Sequence, residues 1–274
     1  MTNPVEPDAF TRRYGQWAVI AGASEGVGAA LADQLAARGI DLILIARNES
    51  LVEAVAAEVR ERHGVQARPL VADLTSPDIG ARVAQATDGL EVGLLIYNAG
   101  AANRTVEFLE DSVEQSRKQI ELACTGPLTL ARLFAPAMRQ RGRGGIVLVG
   151  SLACLAGSAT IAVYSAVKAF NVNFAEGLWS ELHPHGVDVV CTVLGKTDTE
   201  AMQRMGVTPD AGTMQPGDVA GEIIANIGNG PVHIVGEANR SIASHVWTVD
   251  RRALVEMMSA ASRHFADEEA TSGH

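Results

Sequence analysis

Aromatic side chains make up only 4% of the 274 residues. Small and mid-sized aliphatic groups must therefore fill the core, which suits helices lying close against a parallel sheet. Cysteine is also scarce: Cys124, Cys154 and Cys191 are odd in number and widely spaced. That pattern excludes a disulfide framework and a thiolate zinc site, fits a reducing cytoplasmic setting, and leaves each thiol as a small apolar group. Positive charge is short, with 22 Lys and Arg against 32 Asp and Glu and a net charge of −10. Such a chain gains nothing from a phosphate backbone, so nucleic acid is excluded as a partner. The one long uncharged stretch, Gly144 to Val167, is broken by Gly145, Gly150 and Gly157 and diluted by Ser151, Ser158, Thr160 and Ser165. It reads as a strand, a loop and a helix start, so no membrane span is expected. Met1 to Trp17 is polar and carries no secretory signal, and Asp267-Glu268-Glu269 reads as a solvated, disordered tail.

The chain does contain a regular alternation. Apolar runs of strand length (Trp17–Ala21, Leu42–Ala46, Ala67–Val71, Val92–Tyr97, Gly145–Gly150, Val187–Val193, Val232–Val235) are separated by helical patterns. One of these, from about Ser50 to His63, places Leu51, Val55 and Val59 on one face, and a long helical section runs from about Phe108 to Gln140. Ser241 to Phe265 reads as helical. Continuous apolar strands between helices call for a parallel sheet covered on both faces. The expected fold is α/β, a single doubly wound sheet of the Rossmann type. An N-terminal extension (1–15), a catalytic domain (16–240) and a C-terminal helix with an acidic tail (241–274) make up the expected organisation.

Gly22-x-x-x-Gly26-x-Gly28 lies between the first strand and the first helix. Glycines there let the backbone turn sharply and approach a pyrophosphate, which the helix N-terminus then meets with free N–H groups. The second strand ends in Ala46-Arg47. An acid here would accept a ribose 2′-OH, whereas Arg47 suits a 2′-phosphate, which points to NADP(H) with NAD(H) as the alternative. Glu25, within the turn, would oppose that phosphate at close range.

Tyr164 and Lys168 stand four apart at a helix start, on one face. A neighbouring ammonium favours a phenolate and brings a tyrosine towards working acid/base strength. Ser151 ends the preceding strand, where its hydroxyl can polarise a carbonyl. His183-Pro184-His185 ends a helix with no third ligand near, so it reads as surface and not as a metal site. Met202, Met205 and Met214 read either as a flexible apolar lid or as core packing.

Together these residues resemble the short-chain dehydrogenase/reductase family in its single-domain form, over about Gln16 to Gly236. The resemblance implies coenzyme contacts from Gly22, Ser24, Glu25, Gly26, Val27 and Gly28, from Asp73-Leu74 at the adenine, and from Asn98-Ala99-Gly100, with Tyr97 in place of a first Asn. It implies that Ser151, Tyr164 and Lys168 are catalytic, that Tyr164 protonates the substrate oxygen during reduction, and that Lys168 also binds the nicotinamide ribose. Gly195, Thr197 and Thr199 are expected at the nicotinamide amide, although Leu194-Gly195 replaces the family's Pro-Gly. Ala123 stands where the family has an Asn that holds a water in a proton relay, three residues before Gly126-Pro127. The expected activity is reduction of a ketone or aldehyde to an alcohol, or the reverse, on a small-molecule substrate, in a homodimer or homotetramer built on the long central helices. The alternative is a catalytically weak dinucleotide-binding sensor or scaffold of the same fold.

Overall fold

In the computed structural model, the residues described are 9–100, 105–246 and 248–272. Seven parallel strands form one sheet in the order β3-β2-β1-β4-β5-β6-β7. They span Trp17–Ala21 (β1), Asp41–Ala46 (β2), Ala67–Val71 (β3), Val92–Tyr97 (β4), Gly144–Ser151 (β5), Val187–Leu194 (β6) and Val232–Ile234 (β7).

The alternation of side chains along each strand divides the core in two. Ala18, Ile20, Leu42 and Leu44 point to one face. There they meet Leu31 and Leu35 of α2 (Gly26–Ala36), Val52 and Val59 of α3 (Glu49–His63), and Val219 and Ile223 of α9 (Pro216–Ala225). Val19, Ile43, Ile45 and Leu95 point to the other. Their partners are Val83 of α4 (Ile79–Ala86), Leu130 and Phe134 of α6 (Gly126–Arg141) and Ala175 of α7 (Ala162–Leu182). Each fully buried Leu or Ile here contributes about 1.5–3 kcal/mol. Burial on both faces explains why the central strands β1, β4 and β5 read as unbroken apolar runs. The strand order reverses beside β1, between β1 and β4, and that switch point opens a crevice at the carboxyl ends of the strands.

Several expectations need correction. α3 buries Val52, Ala56 and Val59, while Leu51 is 40% exposed, so the helix is rotated from the face read off the sequence. The long central helix begins only at Val113 and is interrupted. α5 (Val113–Ile120) passes into a π-helical turn, Glu121–Thr125, before α6. Pro127 lacks the N–H that would bond back to Ala123, and the Gly126 N–H reaches Glu121 O, five residues back. The C-terminal region forms α10 (Glu237–Val246) and α11 (Arg251–Ser272), so the helix runs through the acidic residues expected to be disordered. Sequence patterning also missed α1 (Ala9–Tyr14), which Arg13 and Tyr14 dock on the buried Asp188 of β6 through bonds of 2.7–2.9 Å.

Candidate active site

The glycine turn follows β1 at the switch point and is stitched to both neighbouring strands. Gly22 N–H and Ala23 N–H donate to Ile45 O of β2, at 2.8 and 3.2 Å. Beyond β4, Asn98 N–H and Ala99 N–H donate to Ala21 O, and the Asn98 side-chain amide donates to Gly22 O at 2.7 Å. Gly22 has φ +86°, and a Cβ on it would stand 2.8 Å from Ala99 N. Helix α2 then starts at Gly26 with no side-chain cap from Glu25. Its first N–H groups are therefore open to an external anion. These are the features a dinucleotide pyrophosphate requires, so the turn fits the coenzyme. The turn also reads Gly-x-Ser-x-Gly from Gly22 to Gly26, the spacing of a hydrolase nucleophile elbow. Ser24 makes no hydrogen bond to a histidine among the described residues, which argues against that chemistry.

Farther along the crevice, Arg47 is exposed directly after β2, and Ala46 is buried. Asp73 follows β3 and accepts from Thr75 N–H at 2.9 Å and from the Thr75 hydroxyl at 2.8 Å. The backbone bond, helped by the Arg47 and Lys118 charges, holds its carboxyl below the usual range. Leu74 is buried beside it.

Ser151 closes β5, and its Oγ accepts from Ala153 N–H at 3.2 Å at the start of a 3-10 turn, Leu152–Leu155. Tyr164 and Lys168 lie on the first turns of α7. Lys168 is 3% exposed, donates to Val149 O of β5 at 2.9 Å, and has its Nζ 5.6 Å from the Tyr164 ring centre. Strand β5 thus supplies Ser151 and also the carbonyl that holds the ammonium. A Cβ on Gly100 would stand 3.8 Å from Lys168 Nζ and 3.5 Å from Ala123 Cβ, so the turn after β4 and the π-helical turn meet at the lysine.

The loop between Ser151 and Tyr164 is clamped by α11. Ser158 Oγ bonds Met258 O and Ser262 Oγ at 2.8 Å each, Ala159 N–H donates to Ser259 Oγ at 3.0 Å, and Ser262 Oγ donates to Ala159 O at 2.6 Å. Thr160, in the same loop, has φ +58°, a strained value for a β-branched residue.

The resemblance places Thr197 and Thr199 at the nicotinamide amide. In the structure Thr199 caps α8 (Glu200–Arg204), accepting from Met202 N–H, and its Cγ2 lies where a Gly26 Cβ would come within 2.9 Å. Thr197 is buried and its hydroxyl faces Gly195 O at 3.4 Å. Of Met202, Met205 and Met214, the last packs on the main core. Sequence reasoning missed Arg204, the Val149 carbonyl and the α11 serines. A backbone carbonyl leaves no sequence signal, and Arg204 lies 179 residues from its partner Glu25. Burial pushes the Cys154 thiol up to about 11 and Cys191 up to about 12, away from nucleophilic use. No group of His, Cys, Asp or Glu among the described residues could hold a metal ion.

The family model described as short chain dehydrogenase matches residues 16–209. A very-long-chain 3-oxoacyl-CoA reductase of Podospora anserina is 36% identical over 65% of this chain, and the chain spans about half of that relative's length, 54%. A 7beta-hydroxysteroid dehydrogenase of Clostridium sardiniense is 28% identical over 94% of this chain and 99% of its own. Among solved structures, a short-chain dehydrogenase from Sphingobium yanoikuyae in complex with NADPH is 31% identical, with a TM-score of 0.75 over 86% of this chain and 97% of its own. With a matched segment that holds the glycine turn, Ser151, Tyr164 and Lys168, the chain belongs to the short-chain dehydrogenase family.

Proposed function

We propose that the protein is an NADP(H)-dependent oxidoreductase that interconverts a ketone or aldehyde and an alcohol, with Ser151, Tyr164 and Lys168 as its catalytic residues. The observation that carries this reading is the buried Lys168 ammonium, anchored on Val149 O and set against the Tyr164 ring beside the end of β5. The Tyr164 phenol beside that ammonium is placed to give a proton to a substrate oxygen and take it back in reverse. The Ser151 hydroxyl accepts from Ala153 N–H, which leaves its proton to polarise the same oxygen. The coenzyme would be held by the backbone of the turn from Gly22 to Gly28, Arg47, Asp73-Leu74, Asn98 to Gly100, Lys168 and the segment from Gly195 to Thr199. When bound, the nicotinamide supplies or accepts the hydride.

Arg47, exposed and free of ion pairs among the described residues, supports a 2′-phosphate and so NADP(H) over NAD(H). The NADPH-bound relative agrees with that preference. The named relatives favour a substrate with an extended apolar skeleton, a steroid or an acyl thioester. A homodimer or homotetramer would use the α5–α6 side. Phe108, Leu109, Val113, Ile120 and Leu128 are exposed there, next to an apolar groove of about 410 Å³ lined by Cys124, Val163 and Val167. Three free thiols support a reducing, cytoplasmic setting, and no helix of the described residues is long and apolar enough to cross a membrane.

The test pairs a thermal-shift titration with NADPH and NADH against an absorbance screen of oxo-steroids and 3-oxoacyl thioesters. NADPH-selective stabilisation, with turnover that Tyr164→Phe abolishes, is the expected result. Ala123, 1% exposed in the π-helical turn, favours the second reading of a coenzyme-binding sensor. NADPH binding without turnover across the panel would select it.

A further inference from the structure

We infer that Arg204 masks an acidic residue of the glycine turn and so keeps the start of α2 open to an anionic coenzyme. This inference rests on the coenzyme reading above and assigns a positioning role to a residue outside the family's motifs.

Glu25 immediately precedes α2 in an extended conformation, φ −162° and ψ 171°. A carboxylate there is drawn to the helix N-terminus, where it satisfies free N–H groups and the positive end of the dipole. Glu25 makes no such bond. Both its carboxylate oxygens instead accept from the Arg204 guanidinium, at 2.9 and 2.5 Å, in a two-pronged pair. The contact is built by the fold. Thr199 caps α8 and packs its methyl group on the side-chain-free face of Gly26, which brings the end of α8 over the turn.

Arg204 has a 62% exposed side chain, and an ion pair in water at that exposure adds little to stability. Its consequence lies with the ligand. An unpaired Glu25 would occupy the N–H groups that a diphosphate needs and would repel its charge. Glu200 adds a second acid here, with Oε2 standing 3.7 Å from a Cβ built on Gly26. Two carboxylates, Glu25 on the turn and Glu200 on α8, therefore stand beside an anion site, and the arginine neutralises the one it pairs, Glu25.

The experiment measures the Kd of NADPH and NADH by fluorescence titration on the full chain. It compares wild type, R204Q, E25Q and E25Q/R204Q at low salt and again at high salt. Thermal melts of all four confirm folding, which changes at this exposed pair should leave intact. Masking predicts that R204Q weakens binding by roughly threefold to tenfold at low salt, with a smaller effect at high salt. E25Q should bind at least as tightly as wild type, and E25Q/R204Q should return to the wild-type value. A double variant as weak as R204Q would overturn the inference and make Arg204 a direct coenzyme ligand. Equal weakening in all three variants would overturn it in favour of a strap between α8 and the turn, and an unchanged R204Q would overturn it outright. Any of these results with tight wild-type binding leaves the coenzyme reading standing. A wild type that binds neither nicotinamide removes both.

Discussion

Replacing Gly22 by alanine tests whether the turn after β1 is fixed by its surroundings or only by its own backbone. Two costs arise. A side chain at φ +86° is strained by about 1–2 kcal/mol, partly offset by about 0.4–1 kcal/mol because alanine is less free than glycine in the unfolded chain. The added Cβ would also lie 2.8 Å from Ala99 N and 2.9 Å from Ala99 Cα, and neither backbone atom can yield. Both belong to the segment that hydrogen-bonds back to Ala21. Overpacking of this kind costs about 1–3 kcal/mol. The control is Gly39→Ala, where φ is +77° but nothing lies within 4 Å of the added carbon. Backbone strain is nearly equal at the two sites, so the difference between the variants isolates the clash. Gly22→Ala should lower Tm by roughly 5–15 °C and Gly39→Ala by no more than about 4 °C in a chain of this size. The same pair separates stability from binding. The Gly22 variant should also lose affinity for NADPH in a fluorescence titration, and the Gly39 variant should keep it. Equal Tm losses would refute the reasoning, because the stitching of the turn to β4 would then carry no energetic weight.

Three other perturbations follow from side chains away from the turn. Asp188→Asn removes the carboxylate that Arg13 and Tyr14 share on β6 and, with the Arg13 side chain 43% exposed, should cost about 1–2 kcal/mol in chemical denaturation; a loss below about 0.5 kcal/mol would show that this carboxylate does not hold α1 in place. Thr160→Gly relieves a positive φ and should stabilise the fold by about 1 kcal/mol, read as a rise in Tm; a fall would mean that the Thr160 side chain holds the loop. Burial pushes the Glu222 carboxyl up, but Gly236 N–H, His233 and Arg240 outweigh it and carry the net shift below the usual range. A depressed folded pKa means stability that is present above the unfolded value of about 4.3 and lost as pH falls through the lower folded value. Tm should therefore fall from about pH 5 downwards, and Glu222→Gln should flatten that slope; identical acid profiles would show that this carboxylate is not coupled to folding.

The parts of the structure legible in the sequence are those set by local rules. β1 and β4 fall on the residues read from apolar runs, because strands buried on both faces leave no polar position to blur their ends. The turn from Gly22 to Gly28 and the four-residue step from Tyr164 to Lys168 are legible for the same reason, as spacing alone brings the groups together. What could not be read depends on contacts across the chain. Leu51 and Val52 differ by one position, and only packing of α3 on β2 and β3 decides which is buried. The π-helical turn needs Tyr97, whose hydroxyl donates to Leu122 O at 2.6 Å and fills the space beside Gly126. The clamp of α11 on the Ser158–Thr160 loop joins residues about 100 positions apart.

Tyr97 and Ala123 are the two departures from the family pattern nearest the lysine, and the structure connects them. Where the family has Asn, Tyr97 is buried beneath the π-helical turn and holds the Leu122 carbonyl. Burial drives its phenol well above its ordinary pKa, so it acts as a fixed donor and does not titrate. The turn it props presents Ala123, a methyl group, against Gly100, at the position where the resemblance implies a relay asparagine. An apolar contact cannot hold a water for proton relay. Yet the ammonium of Lys168 has its own anchor in Val149 O, on the strand that ends in Ser151. Placement of the lysine beside Tyr164 thus rests on β5, and in the proposed reaction position 123 would add no polar group to that pair.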